Sequence, residues 1–118
     1  MSGGTPYRRY KEVDVMTAPP QQLVVLAYDG LLRLLSEARD ACAGGRYESV
    51  NDRLLRAQDL IFELDEALDA RGGDIAGALR SLYAYLGVRL LDANVQKDVA
   101  VIDEVASLLL SLIHISEP

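Results

Sequence analysis

Apolar residues recur at three- and four-residue intervals along most of the chain, the spacing that gathers side chains on one face of an α-helix. In the first such run they are Leu23, Leu26, Ala27, Leu31, Leu34, Leu35 and Ala38, with Gly30 on the same face. The prolines ahead of this run set its start. Ala18 and Pro19 favour extended backbone, and Pro20 suits a first helical turn, where its missing N–H costs nothing. Thr17 is the nearest side-chain oxygen able to cap that turn, and Gly44-Gly45 stop the helix, which is predicted over 20–43. A second stripe, Val50, Leu54, Ala57, Ile61, Leu64 and Leu68, predicts a helix over 46–70 that ends at Gly72-Gly73. With Asp74 as its cap, a third helix over 74–95 carries Ile75, Ala78, Leu79, Leu82, Leu86 and Leu90, flanked by Tyr83 and Ala93. Asp98 is placed to cap a fourth over 98–113, whose inner face is Ile102, Val105, Leu108, Leu109 and Leu112. No stretch alternates long enough to make a half-buried strand. Long helices with short connections fold back on one another. The pattern predicts an all-α protein: an antiparallel up-down four-helix bundle over 17–113, a flexible N-terminal arm over 1–16 and an atypical tail over 114–118.

Composition narrows the class. The 118 residues suit one domain with one core. A net charge of −6 argues against nucleic acid, which needs clustered Lys and Arg. No apolar run approaches the ~20 residues of a membrane span, so no membrane insertion is expected. Met1 to Tyr10 lack the apolar core of a secretory signal. The single cysteine, Cys42, fits a reducing cytoplasm, and a cytoplasmic location is the expectation.

Candidate chemistry is sparse. His114, the one histidine, lies where the helical pattern fails, and Cys42 has no histidine near it in sequence. Glu63, Asp65, Glu66 and Asp69 crowd the end of the second helix, but the paired Glu-x-x-His of a di-metal bundle is missing. These acids read as a solvated face, so no catalytic residue, metal or cofactor is expected, and no enzyme. Gly30 interrupts a good helix, at a cost of ~1 kcal/mol relative to Ala, and is expected to permit close approach of another backbone. Tyr83 and Tyr85 fall on different faces, so one of them must leave the core. Arg89 is placed to reach an acid on a neighbouring helix, and Asn94 marks the turn after the third helix.

In the arm, Tyr7 and Tyr10 would share one side of a helical turn and could dock on an apolar groove of the bundle. The order of these features resembles a known family. The pattern Pro6-Tyr7-x-x-Tyr10, then Val15-x-Thr17-Ala18-Pro19-Pro20-x-x-Leu23-x-x-x-Ala27-Tyr28-Asp29-Gly30, resembles the flagellar secretion chaperone FliS family. The match continues through Arg56-Ala57-Gln58-Asp59-Leu60-Ile61 and Gly72-Gly73-Asp74-Ile75-Ala76. It resumes at Leu82-Tyr83-x-Tyr85-Leu86-x-x-Arg89-Leu90 with Ala93-Asn94, and closes at Asp98-x-x-x-Ile102-Asp103-Glu104-Val105.

The resemblance implies a helical bundle that binds the disordered C-terminal segment of flagellin, prevents early polymerisation and hands it to the flagellar type III export gate. It also implies that the arm, with Tyr7 and Tyr10, covers a groove used by flagellin or contacts the gate. Flagellin contacts are expected from apolar residues left over once the core stripes are assigned. These are Val24, Val25 and Leu31, then Leu55 and Leu60, then Leu91 and Val95; each alternatively completes a wide core. Exposed apolar faces also leave a weak homodimer open. The alternative function is a generic helical-bundle adaptor that binds another amphipathic partner. One departure from the family stands at the C-terminus, where Ser111-Leu112-Ile113-His114-Ile115-Ser116-Glu117-Pro118 replaces a continued fourth helix with a basic residue and often a tryptophan. A short fourth helix and reduced stability are expected from it.

Overall fold

The computed structural model describes residues 20–71 and 74–116, with side-chain surroundings for 25–68 and 77–113. The arm with Tyr7 and Tyr10, the Thr17 cap and residues 117–118 lie outside the described residues, as do the side chains of Val24, Asp74 and His114. Four helices follow in order: α1 Pro20–Ala43, α2 Tyr47–Arg71, α3 Asp74–Gln96 and α4 Val99–Ser116. Among the described residues there is no strand, and the fold is an all-α four-helix bundle. α4 continues past residue 113, where the apolar pattern fades, to Ser116.

The backbone at each turn explains the tight connections. α1 ends with Gly45 at φ 72°, the left-handed region where glycine alone is at ease. Two reversed hydrogen bonds seal that end: the Arg46 N–H donates to the Ala41 carbonyl at 2.8 Å, and the Gly45 N–H to the Cys42 carbonyl at 3.1 Å. At the end of α3 the left-handed residue is Lys97, with φ 52°. There the Asp98 N–H reaches back to the Ala93 carbonyl at 3.3 Å. Lys97 offsets its backbone strain by donating from Nζ to the carbonyl of Asn94 at 2.6 Å and to its Oδ1 at 2.7 Å. Asp98 then caps α4, accepting the Ala100 N–H on Oδ1 at 2.9 Å.

α1 packs between α2 and α4, and so does α3; the diagonal pairs make no close backbone approach among the described residues. Cross-helix pairs fix the antiparallel register: Glu37 with Arg53, Asp65 with Arg80, Arg39 with Asp103 and Arg89 with Glu104. The centre is filled by Leu31, Leu35, Val50, Leu54, Leu86, Leu90, Ile102, Val105 and Leu109. Each buried leucine of this set contributes roughly 1.5–3 kcal/mol. One polar bond crosses the centre along a diagonal. The hydroxyls of Tyr28 in α1 and Tyr83 in α3 lie 2.8 Å apart in a buried hydrogen bond.

Two positions differ from the stripes read off the sequence, and Leu31, read both as stripe and as possible surplus, resolves to core. Leu26 is half exposed and Ala78 is exposed, whereas Leu31, counted among the possible surplus apolar residues, is completely buried. The physical reason is phase. Residues 23–27 are uninterruptedly apolar and carry no polar position to set the helix rotation. Tyr28, Leu31, Leu35, Ala38 and Ala41 set it instead, and they turn Leu26 outward. Asn94, assigned to a turn, is a buried residue of α3 whose Nδ2 donates to Asn51 Oδ1 of α2 at 2.8 Å.

Candidate functional site

Once the core is closed, a second set of apolar residues remains outside it. On α2, Leu55 and Phe62 are seven apart and share a face with Gln58. On α3, Ala84, Val88, Leu91 and Val95 follow an i, i+4, i+7, i+11 course, which is a helical stripe of its own. All six are exposed, Val95 at 76% and Phe62 at 62%. The register set by the Asp65–Arg80 and Asn51–Asn94 pairs lays the two stripes side by side across the α2–α3 seam. At one end of the seam is a recess of about 250 Å³, lined by Gln58, Ile61, Phe62, Asp65, Arg80, Tyr83, Ala84 and Gly87. Its floor is the buried Ile61 and Tyr83, and Arg80 Nε meets Asp65 Oδ1 at 3.3 Å on its rim.

The apolar seam has an acidic border. Glu48, Asp52, Asp59, Glu63 and Glu66 follow one another along the outer face of α2, and the four glutamates and aspartates other than Asp52 are exposed. Asp52 pairs with Arg53 and Arg56, while Glu48, Asp59, Glu63 and Glu66 have no ion-pair partner among the described residues. On the other side of α3, Glu104 accepts from Arg89 Nη2 at 2.7 Å and from the Tyr85 hydroxyl at 2.8 Å. Those bonds, Arg89 first, hold the Glu104 carboxyl below the usual range and push the Arg89 guanidinium and the Tyr85 phenol up. In the core, burial raises both Tyr28 and Tyr83, so that each stays a neutral hydroxyl.

The sequence-predicted contact residues therefore separate. Leu55, Leu91 and Val95 are exposed and fall on the two stripes that flank the α2–α3 seam. Leu60 does not: it is half buried against α1, its Cδ1 standing 3.4 Å from where a Cβ on Gly30 would be. The close approach that Gly30 permits is thus to a side chain rather than to a backbone. Val25 is partly exposed on α1, on the side shared with Leu32 and with Arg39, which pairs with Asp103 of α4. Leu31 belongs to the core. Sequence reading missed Phe62, Ala84, Gly87 and Val88, although the seven-residue step from Leu55 to Phe62 and the second α3 stripe were both present in the pattern.

Among the described residues no group of His, Cys, Asp and Glu is placed to hold a metal ion, and no helix is long and apolar enough to cross a membrane. Cys42 donates through Sγ to the Lys97 carbonyl at 3.1 Å, a contact between the ends of α1 and α3.

A closed core with an apolar stripe left outside it defines, among the described residues, a helical bundle carrying an exposed apolar face. The flagellar protein FliS family matches residues 3–115. The chain is 38% identical over 102 residues to the flagellar secretion chaperone FliSB of Pseudomonas aeruginosa, covering 86% of this chain and 81% of that protein. It is 32% identical over 100 residues to the flagellar secretion chaperone FliS of Bacillus subtilis, with 85% and 74% covered. Against the FliS of Salmonella typhimurium it is 38% identical over 100 residues, with 83% and 74% covered. The chain belongs to the FliS family.

Proposed function

We propose that this protein is a cytoplasmic flagellar export chaperone that binds the disordered C-terminal segment of flagellin. By holding that segment it prevents premature polymerisation and keeps the subunit competent for type III export. The observation that carries the reading is the exposed apolar seam of Leu55, Phe62, Ala84, Val88, Leu91 and Val95, in a chain whose relatives are named flagellar secretion chaperones. A segment that folds into a helix as it docks spends part of its binding energy on ordering, which gives broad contact with moderate affinity and suits a cargo that must be let go. Val25 and Leu60 extend the contact beyond the seam, and Val24 with them. Tyr7 and Tyr10 of the arm cover the apolar surface before flagellin arrives or contact the export gate.

Titration of the chain with a peptide from the cognate flagellin C-terminus, read by calorimetry and circular dichroism, tests this. Saturable 1:1 binding with a gain in helix is expected. A well-folded chain that gives no heat and no gain of helix would reject flagellin as the client and favour a generic adaptor. Sedimentation at several concentrations checks the accompanying proposal of a weak homodimer.

A further inference from the structure

α3 contains two glycines, Gly77 and Gly87, the second in the wall of the recess shared with α2, and the described residues make no use of the room they leave. A Cβ at either would meet no atom within 4 Å, unlike Gly30, which Leu60 fills. Glycine inside a helix is less favourable than alanine, so internal packing gives no reason for it here. Gly87 lies in the wall of the recess beside Ala84 and opposite Phe62. At about 250 Å³ the recess falls below the ~300–1,000 Å³ of pockets for drug-sized ligands and has room for one large side chain. The border of the seam is acidic on the α2 edge, through Glu48, Asp59, Glu63 and Glu66.

We infer that the α2–α3 seam seats a partner helix by one large apolar side chain in the Gly87 recess, with Lys or Arg along the helix edge that faces α2. The inference rests on the chaperone reading for its natural client and adds to it the anchor and the charge pattern that client must present. The bare backbone at Gly87 lets the partner helix come close enough to sink its anchor onto Ile61 and Tyr83. The exposed carboxylates on α2, without ion-pair partners among the described residues, then favour a cationic edge and oppose an anionic one.

The test uses two designed helical peptides with the same leucine stripe, one edged with Lys and one with Glu, beside the cognate flagellin segment, all by fluorescence anisotropy. The Lys-edged peptide is expected to bind the unaltered chain more tightly than the Glu-edged one. Gly87→Leu fills the recess and is expected to weaken binding by about tenfold or more without lowering the melting temperature. Asp59→Lys with Glu66→Lys is expected to reverse the preference between the two edges. Should Gly87→Leu disturb folding, Val88→Glu on the exposed stripe carries the same test. Undiminished binding by these seam variants, or equal affinity for the two peptides, overturns the inference. If the flagellin segment fails on the unaltered chain while the designed peptides behave as expected, the chaperone reading falls and the seam stands. If flagellin binds every seam variant equally well, the seam falls and the chaperone reading stands.

Discussion

Single residues of this bundle differ sharply in what they hold up, and burial sorts them. Leu31 and Leu91 are both leucines that the sequence marks as possible partner contacts, yet one is completely buried and the other half exposed. Leu31→Ala is expected to cost roughly 2–5 kcal/mol in urea unfolding, because it opens a cavity in a packed centre. Leu91→Ala should change stability by no more than about 0.5 kcal/mol while weakening flagellin-segment binding. Gly45 is different again. Its φ of 72° lies where a Cβ clashes with the neighbouring carbonyl, so Gly45→Ala should lower unfolding free energy by about 1 kcal/mol. That glycine was legible, since Gly44-Gly45 after a long apolar stripe is a helix stop. Lys97, in the same backbone region, was not. Its conformation depends on a tertiary arrangement in which Nζ returns to Asn94, and no local signal announces that.

The helices themselves were largely readable, because each carries an inner stripe with polar residues between. Where the polar punctuation vanished, as over residues 23–27, the rotation of α1 could not be read, so Leu26 was placed inside and Leu31 was left open between core and surplus. The seam on α2 and α3 was hidden for a related reason. An apolar residue next to the core stripe looks like core until the width of the neighbouring helix is known. Between α3 and α4 the Tyr85–Glu104–Arg89 cluster gives the pair a pH dependence. A carboxyl held below its ordinary value contributes stability that is present above the unfolded-state pKa of ~4.3 and is lost as pH falls through the folded value. Acid titration followed by circular dichroism should therefore show weakening below about pH 4, and Glu104→Gln should flatten that limb. A limb that is unchanged in the variant would assign the acid sensitivity to other carboxyls.

At the scale of the molecule, the Tyr28–Tyr83 bond ties α1 to α3 across the diagonal, where the described backbones make no close approach. Tyr83→Phe strands the buried Tyr28 hydroxyl and should cost about 1–3 kcal/mol. Replacing both tyrosines by Phe should cost less than the two single changes summed, and a double-mutant cycle by thermal or urea unfolding reads the difference. The sign of the pH effect is opposite to that of Glu104. Phenols raised by burial support the fold below the unfolded-state value of ~10, and the support is lost as pH climbs above it. The double Phe variant should resist alkali better than the parent.

The same pair gives the protein an optical voice. The chain holds six tyrosines and no tryptophan, so no indole emission covers the phenol signal. Tyr83 forms part of the recess wall while its hydroxyl is bonded to Tyr28. Anything that settles in the recess must press on a chromophore already set apart from the exposed Tyr47 and Tyr85. Tyrosine absorbance and emission should then register occupancy without any attached dye, and the Tyr83→Phe chain supplies the blank.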